Sequence, residues 1–242
     1  MTRLLVCLPY WNGDRMQMER VADLAGDLLE RRAAQADLLF AGRYDADHPS
    51  RQIYSHLCEK FAHVSYWRCS RDGDGFPEGC NNLAYGIFQY LIDQRRVNSM
   101  YADISAVLIL EADCVLLRRT WLQDLITEWE GATACNKLIA GKVIPAGTFS
   151  PGSAAHVNAV SLYDVEILRH LTCLVGGPRD IGWDYYHGRA TVPVTHDSPL
   201  FKLDYQRPTI TGQELFADPG VVVYHGVKDD SAIHAVRKRF GL

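Results

Sequence analysis

The feature that most constrains this chain is an apolar run that stops abruptly at acidic residues. Residues 104–110 (Ile-Ser-Ala-Val-Leu-Ile-Leu) are followed at once by Glu111-Ala112-Asp113. A nearly continuous apolar run of this length is typical of a strand that is buried on both faces of a parallel sheet. Carboxylates seldom end such a strand without a partner, because removing a charge from water is unfavourable. The pattern predicts an α/β domain with an acidic pair at the carboxyl end of a central strand.

Strand and helix patterns alternate along the first half of the chain. Strand patterns occur at 4–8, 36–41 and 64–67, and we expect a loop between the second and the third. Helix patterns follow Asp14, and also cover 81–94 and 120–129. This order predicts a mostly parallel sheet that is covered by helices on both faces.

The second half is less regular. Residues 138–144 and 221–224 have strand patterns, 157–162 are apolar, and 165–171 have a helix pattern. The stretch 176–216 is rich in Gly, Pro, Asp and aromatic residues, and we interpret it as loops that shape a binding face. A short helix, capped by Asp229, Asp230 or Ser231, is expected to close the chain.

Composition narrows the cellular setting and the classes of partner. The net charge of -4 gives no global basic field for binding nucleic acid or a membrane. The 7 cysteines are odd in number and lack CxxC spacing, which favours free thiols over disulfides or a zinc site. No signal peptide or apolar run of membrane-spanning length is visible, so we expect a cytoplasmic protein without a membrane partner.

The acidic pair has the chemistry of a metal site. In open α/β sheets, ligands bind beyond the carboxyl ends of the strands. Oxygen ligands from Glu111 and Asp113 would suit Mg²⁺ or Mn²⁺ bridging a diphosphate. A simple capping role at the strand-to-loop transition explains the same pair, and both interpretations stay open.

A second candidate cluster directly follows the last predicted strand. His225 has the chemistry of a third metal ligand, and Lys228 that of a point charge on a phosphate. Gly226 would let the backbone approach a ligand closely. A purely structural histidine is the alternative.

The acceptor side of a reaction would need a base and a binding surface. Asp184 has the chemistry of a general base, and Trp183 could pack against a ring. Asp184 would serve equally well as the cap of a helix from Tyr185 onward. His156 and Asn158 are further candidates for the acceptor side.

Residues at the ends of the first strands are candidates for binding a nucleotide. Asn81 opens a helix after a glycine-rich loop, and a helix N-terminus can approach a phosphate. The candidates for contacts with the base or the ribose are Pro9, Tyr10, Trp11, Arg43 and Asp45. Local packing is the competing explanation for each of them.

In this order the motifs resemble the GT-A glycosyltransferases, especially their inverting, family-two-like group. The group's DxD motif is here Glu111-Ala112-Asp113. The resemblance implies that Asp113 and His225 bind the metal, that Glu111 lies near the metal or the ribose, and that Asp184 is the base. It also implies a nucleoside diphosphate sugar donor, with UDP as the expected nucleotide. One domain, 1–242, would comprise a donor half (1–117) and an acceptor half (118–242).

Three segments, 77–81, 110–114 and 225–230, also resemble compact glycosyltransferase-like proteins of tailed phages. That resemblance implies an acceptor in DNA, namely the 5-hydroxymethyl group of a modified pyrimidine. The modified base would have to be flipped out of the duplex to react. The reaction would then take place in the cytoplasm of the phage's host. The negative net charge counts against DNA, and a cell-surface glycan, a lipid-linked acceptor and a protein stay open. A catalytically silent nucleotide-sugar-binding module is the alternative of another class. Sugar-phosphate nucleotidyltransferases have a similar sheet, but they usually carry an N-terminal Gly-rich stretch with an Arg and a following Lys. Residues 8–14 lack that stretch, so we do not expect this enzyme class.

Overall fold

The computed structural model describes residues 2–73, 75–149, 152–172 and 181–242, apart from the side chains of Tyr205 and Gln206. Its strands are β1 (Leu4–Tyr10), β2 (Ala36–Gly42), β3 (Val64–Arg68), β4 (Ala106–Ile109), β5 (Cys114–Leu116), β6 (Ile139–Ile144), β7 (His156–Tyr163), β8 (Thr195–Asp197), β9 (Phe201–Arg207) and β10 (Val223–Val227). Its helices are α1 (Arg15–Asp27), α2 (Arg51–Lys60), α3 (Cys80–Val97), α4 (Ser99–Ala102), α5 (Trp121–Ala134), α6 (Val165–Thr172), α7 (Trp183–Tyr186), α8 (Gly188–Thr191), α9 (Gly212–Leu215) and α10 (Ser231–Phe240).

A seven-stranded sheet forms the centre of the molecule, in the order β3-β2-β1-β4-β7-β6-β8. The strands β3, β2, β1 and β4 are parallel neighbours, whereas β7 runs antiparallel to both β4 and β6. The sheet is therefore mostly parallel, as the sequence predicts. The carboxyl ends of β1, β2 and β4 meet at one edge, which is where the donor-side candidates lie.

Alternating residues of the strands pack against helices on the two faces of this sheet. On one face Leu4 and Val6 join a cluster with residues of α1 and α5. On the other face Leu5 and Cys7 join a cluster with residues of α3 and α6. Strand residues that are apolar at every position are needed for this arrangement, because neither face is open to water.

A smaller sheet, in the order β5-β10-β9, carries the end of the chain back to the acidic pair. β10 pairs antiparallel with β5, with His225 opposite Cys114. The backbone N–H of Gly226 donates to the carbonyl of Asp113 at 3.1 Å. The register of β10 against β9 shifts between His225 and Val227, and Gly226 has a φ of 114° that favours glycine.

The structure corrects three of the predicted elements. The segment between β2 and β3 contains helix α2, not only a loop, and only Leu57 of that helix is fully buried. The predicted loop stretch 176–216 contains β8 and β9, although its residues 176–180 lie outside the described part of the chain. His225 lies inside β10 and not after it, because pairing with β5 and β9 extends the strand to Val227.

The six cysteines within the described part of the chain are free thiols, in agreement with the prediction. Among the described residues, no helix combines the length and the apolar character that crossing a bilayer would require.

Candidate functional site

Two carboxylates and an imidazole meet where β4 ends and β10 crosses β5. The Nε2 atom of His225 lies 3.1 Å from Oε2 of Glu111 and 3.1 Å from Oδ1 of Asp113. Lys228, which follows β10, donates to the other oxygen of Asp113. The small sheet thus brings together four predicted site residues. Glu111 and Asp113 follow β4, whereas His225 and Lys228 lie in β10 and directly after it.

In this cluster, close contacts between the charged groups outweigh the effect of burial on their pKa values. Burial acts to raise the pKa of Asp113, but the bonds from His225 and Lys228 hold that pKa at about 2. Burial also opposes charge on His225, yet the bonds to Asp113 and Glu111 raise its pKa to about 10. Positive charge is therefore strongly favoured between these carboxylates, which is the condition that a cation site requires.

Asn158 orients His225 from behind. Its Oδ1 atom accepts the backbone N–H of Val160 at 3.1 Å, which identifies this amide atom as the oxygen. The same oxygen lies 3.0 Å from Nδ1 of His225, so Nδ1 carries a hydrogen and Nε2 faces the carboxylates. Asn158, a predicted acceptor-side residue, lies instead behind the metal-site candidate.

The residues of this cluster fit a divalent cation with oxygen ligands. Carboxylate oxygens and a neutral imidazole nitrogen are ligands that Mn²⁺ accepts, and Mg²⁺ prefers the carboxylates. The Cys114 thiol lies within reach as well, but burial raises its pKa well above the ordinary value. Mg²⁺ and Mn²⁺ prefer oxygen and imidazole ligands to a thiol, and so Asp113 and His225 are the better ligands.

Another described group of potential ligands, Asp23, Asp27 and His56, has a structural explanation. Arg237 of α10 lies 2.6 Å from an oxygen of Asp23 and 2.8 Å from an oxygen of Asp27. This group fastens α10 to α1.

Asp184 lies in the first turn of α7, half-buried and close enough to Glu111 to feel its charge. Burial is the main cause that raises its pKa; the charge of Glu111 raises it further, and His156 lowers it. Its Oδ1 atom accepts the backbone N–H of Tyr185 at 2.9 Å. A half-buried carboxylate with a raised pKa beside a candidate donor site has the properties of a general base.

Helix α3 holds the segment that carries Asp184. The side chain of Asn81 donates to the carbonyl of Ile181 at 2.9 Å and accepts the backbone N–H of Trp183 at 2.8 Å. One turn later, the hydroxyl of Tyr85 lies 2.9 Å from Nε2 of His187. Asn81, which the sequence suggested for donor binding, is placed to position α7.

Two predicted acceptor residues are more deeply buried than a contact surface would be. Trp183 is 7% exposed and packs edge-on against Phe88, with ring centroids 5.0 Å apart. His156 is buried, and its ring lies 4.5 Å from that of Tyr185. These two rings pack within and beside the segment that carries Asp184.

The ends of β1 and β2 form a separate polar corner. Arg43 makes a bidentate pair with Asp45, at 2.7 and 2.6 Å, and its guanidinium lies 5.3 Å from the ring of Trp11. Trp11 is 49% exposed, whereas Tyr10 is 2% exposed and bonds through its hydroxyl to the carbonyl of Asp47. Trp11 is therefore better placed than Tyr10 to stack on a base.

Two further residues lie at this corner, of which one was a site candidate and the other was missed. Pro9, a predicted contact, is a half-buried member of β1. Asp14, which the sequence suggested only as a helix cap, lies close enough to Glu111 and Asp113 to feel their charges; burial and those charges raise its pKa to about 6. Its place beyond the end of β1, at the same sheet edge as β4, was the available signal.

Solved glycosyltransferases share this fold. Mouse xyloside xylosyltransferase 1 is 13% identical with a TM-score of 0.52, and the match covers 95% of this chain and 98% of that one. The bifunctional glycosyltransferase WbbM is 10% identical with a TM-score of 0.61, covering 97% of this chain and 50% of WbbM. GlyE of Streptococcus pneumoniae TIGR4 is 13% identical with a TM-score of 0.52, covering 96% and 56%.

No protein-family model matches the chain, and no curated protein matches it in sequence. The chain spans nearly all of the xylosyltransferase chain but only about half of WbbM and of GlyE. The mixed sheet, the helices on both faces and these likenesses agree: the chain has the GT-A-like fold of glycosyltransferases.

Proposed function

We propose that the chain is a metal-dependent glycosyltransferase, which moves a sugar from a nucleoside diphosphate sugar to an acceptor hydroxyl. The observation that carries this proposal is the convergence of Glu111, Asp113 and His225 at the carboxyl end of β4 in a glycosyltransferase fold. Asp113 and His225 would hold Mn²⁺ or Mg²⁺. The bound ion would stabilise the negative charge that develops on the leaving diphosphate.

Lys228 supplies a second positive charge on the donor side. Its ammonium bonds to Asp113, so it lies directly beside the proposed ion site. A donor diphosphate would offer Lys228 phosphate oxygens in place of that carboxylate oxygen. Glu111 reaches His225 from the other side and is the candidate for the ribose or for a further metal contact.

The nucleotide base would bind at the corner beyond β1 and β2. Trp11 offers an exposed ring for stacking, and Arg43 and Asp45 offer a donor and an acceptor for hydrogen bonds. We propose uracil as the base and a UDP-sugar as the donor, in line with the family resemblance. Lys228 and Asp113 would then lie at the diphosphate end of the same ligand.

Asp184 is proposed as the base. The acceptor oxygen forms a bond to the anomeric carbon while the bond from that carbon to the diphosphate oxygen breaks. The electron pair leaves with the diphosphate, and the hydroxyl proton passes to Asp184. Attack from the face opposite the diphosphate inverts the configuration.

The acceptor is proposed to be a sugar hydroxyl. A structural relative is named for transfer to a xyloside, which supports this class. The 5-hydroxymethyl group of a pyrimidine in DNA is the second acceptor to be tested, since the motif resemblance implies it.

The test is transfer from a panel of radiolabelled nucleotide sugars, with Mn²⁺ or with EDTA. The acceptors are methyl glycosides and duplex DNA with 5-hydroxymethylcytosine. Metal-dependent label on either acceptor is the expected result, and the labelled acceptor identifies the class. Binding of a nucleotide sugar without transfer or hydrolysis from any donor would overturn the proposal and favour a catalytically silent binding module.

A further inference from the structure

The surface beside Asp184 contains an aromatic ring that the proposed reaction does not yet use. Phe76 lies in the turn Gly75–Gly79 that leads into α3, and it is 76% exposed. Covering such a ring removes apolar surface from water, so the ring is a favourable contact for a ligand.

Gly182 brings this ring close to the proposed base. A side chain at position 182 would place its Cβ 2.8 Å from Oδ1 of Asp184 and 3.3 Å from a ring carbon of Phe76. The carboxylate and the ring therefore both lie close to Gly182, which leaves no room for a side chain between them. A ligand that covers Phe76 would present its edge to Asp184.

Asn81 holds the turn that carries Phe76 and the segment that carries Asp184 close together. Phe76 stands just before α3, and Asn81 in the first turn of α3 bonds to the backbone of Ile181 and Trp183. Ile181 and Tyr186, on either side of Asp184 in the chain, are also exposed. The surface is thus both apolar and fixed in position.

We propose that Phe76 is the stacking platform for a carbohydrate acceptor, whose attacking hydroxyl points to Asp184; this inference rests on the proposed function. The C–H face of a sugar ring is apolar and covers an aromatic ring, while its hydroxyls lie around the edge, where Oδ1 of Asp184 accepts. The ionised carboxylate of Asp184 gives this surface negative charge, which an uncharged sugar tolerates and a DNA phosphate does not.

The test compares Phe76→Ala, Phe76→Trp and the wild type, with methyl glycosides or the hydroxymethylated duplex as acceptor. Val97→Ala, which truncates an exposed side chain at the far end of α3, is the matched control. We expect Phe76→Ala to raise the acceptor KM about tenfold or more, since an aromatic stacking contact is lost. In Phe76→Trp and Val97→Ala, the acceptor KM should stay within about twofold of the wild-type value, which is within the usual scatter of mutational effects.

Donor hydrolysis in the absence of an acceptor separates the two proposals. A normal glycoside KM in Phe76→Ala, with donor hydrolysis present, overturns the platform and leaves the glycosyltransferase proposal standing. Transfer to the DNA and to no glycoside also overturns the carbohydrate platform. A wild-type protein that neither hydrolyses a donor nor transfers a sugar overturns both proposals.

Discussion

The side-chain amide of Asn81 forms a two-way bridge to the backbone on either side of Gly182: it donates to the carbonyl of Ile181 at 2.9 Å and accepts from the N–H of Trp183 at 2.8 Å. The bridge joins residues about a hundred positions apart in the chain. It ties the start of α3 to the turn that presents Asp184, so the proposed donor-side and acceptor-side residues are connected at the proposed site of reaction.

Asn81→Ala should therefore impair catalysis more than donor binding. The variant leaves a part-buried carbonyl and a buried N–H without these partners, which destabilises the fold by about 1–3 kcal/mol. We expect a lower melting temperature and a fall in kcat of about tenfold or more, with a nearly constant donor KM. Gln89→Ala on the same helix, where the side chain bonds only to exposed Asp93, is the control. An unchanged kcat in Asn81→Ala would show that the bridge does not position the base.

Gly13→Ala should weaken donor binding. A Cβ at position 13 would stand 2.1 Å from the Trp11 indole, so Trp11 must leave its place beside Arg43. We expect the donor KM to rise about tenfold, as for loss of one base-stacking contact. Gly131→Ala is the control, because nothing lies within 4 Å of a Cβ there and alanine favours helix α5. Equal donor KM values in the two variants would exclude Trp11 from the base site.

The pH dependence of transfer should report Asp184. A base acts in its ionised form, so activity is lost as pH falls through its pKa. Burial, with the charge of Glu111, raises the pKa of Asp184. The acid limb of kcat is therefore expected at a higher pH than an ordinary aspartate would give. Asp184→Asn should lower kcat by about 10²–10⁴-fold, the range for loss of a general base. Wild-type activity that is flat down to the ordinary aspartate range would contradict this role.

Much of the fold of the first half of the chain was predictable because its signals are local. The apolar runs of β1, β2 and β4 predict a parallel sheet, and Asp113 stands where such a sheet binds ligands. The pairing of β10 with β5, which places His225 beside Asp113, follows from topology and not from spacing in the sequence.

The missed elements had weak or tertiary signals. Helix α2 buries only Leu57 completely, so its apolar periodicity is faint. In β9, Phe201 and Leu203 alternate with polar residues, but the surrounding Gly and Pro residues favour a loop interpretation. The roles of Asn81 and Asn158 depend on contacts with residues distant in the chain, which periodicity does not report.

The most direct test of the metal-dependent glycosyltransferase is hydrolysis of a UDP-sugar, followed as release of UDP with Mn²⁺ or with EDTA. The proteins to compare are the wild type, Asp113→Asn and, as a control, Asp103→Asn, which changes an exposed carboxylate at the end of α4. We expect turnover that EDTA abolishes, that Asp103→Asn retains, and that Asp113→Asn lowers by about a hundredfold or more. Equal turnover in EDTA, or full activity in Asp113→Asn, would contradict the proposed metal dependence.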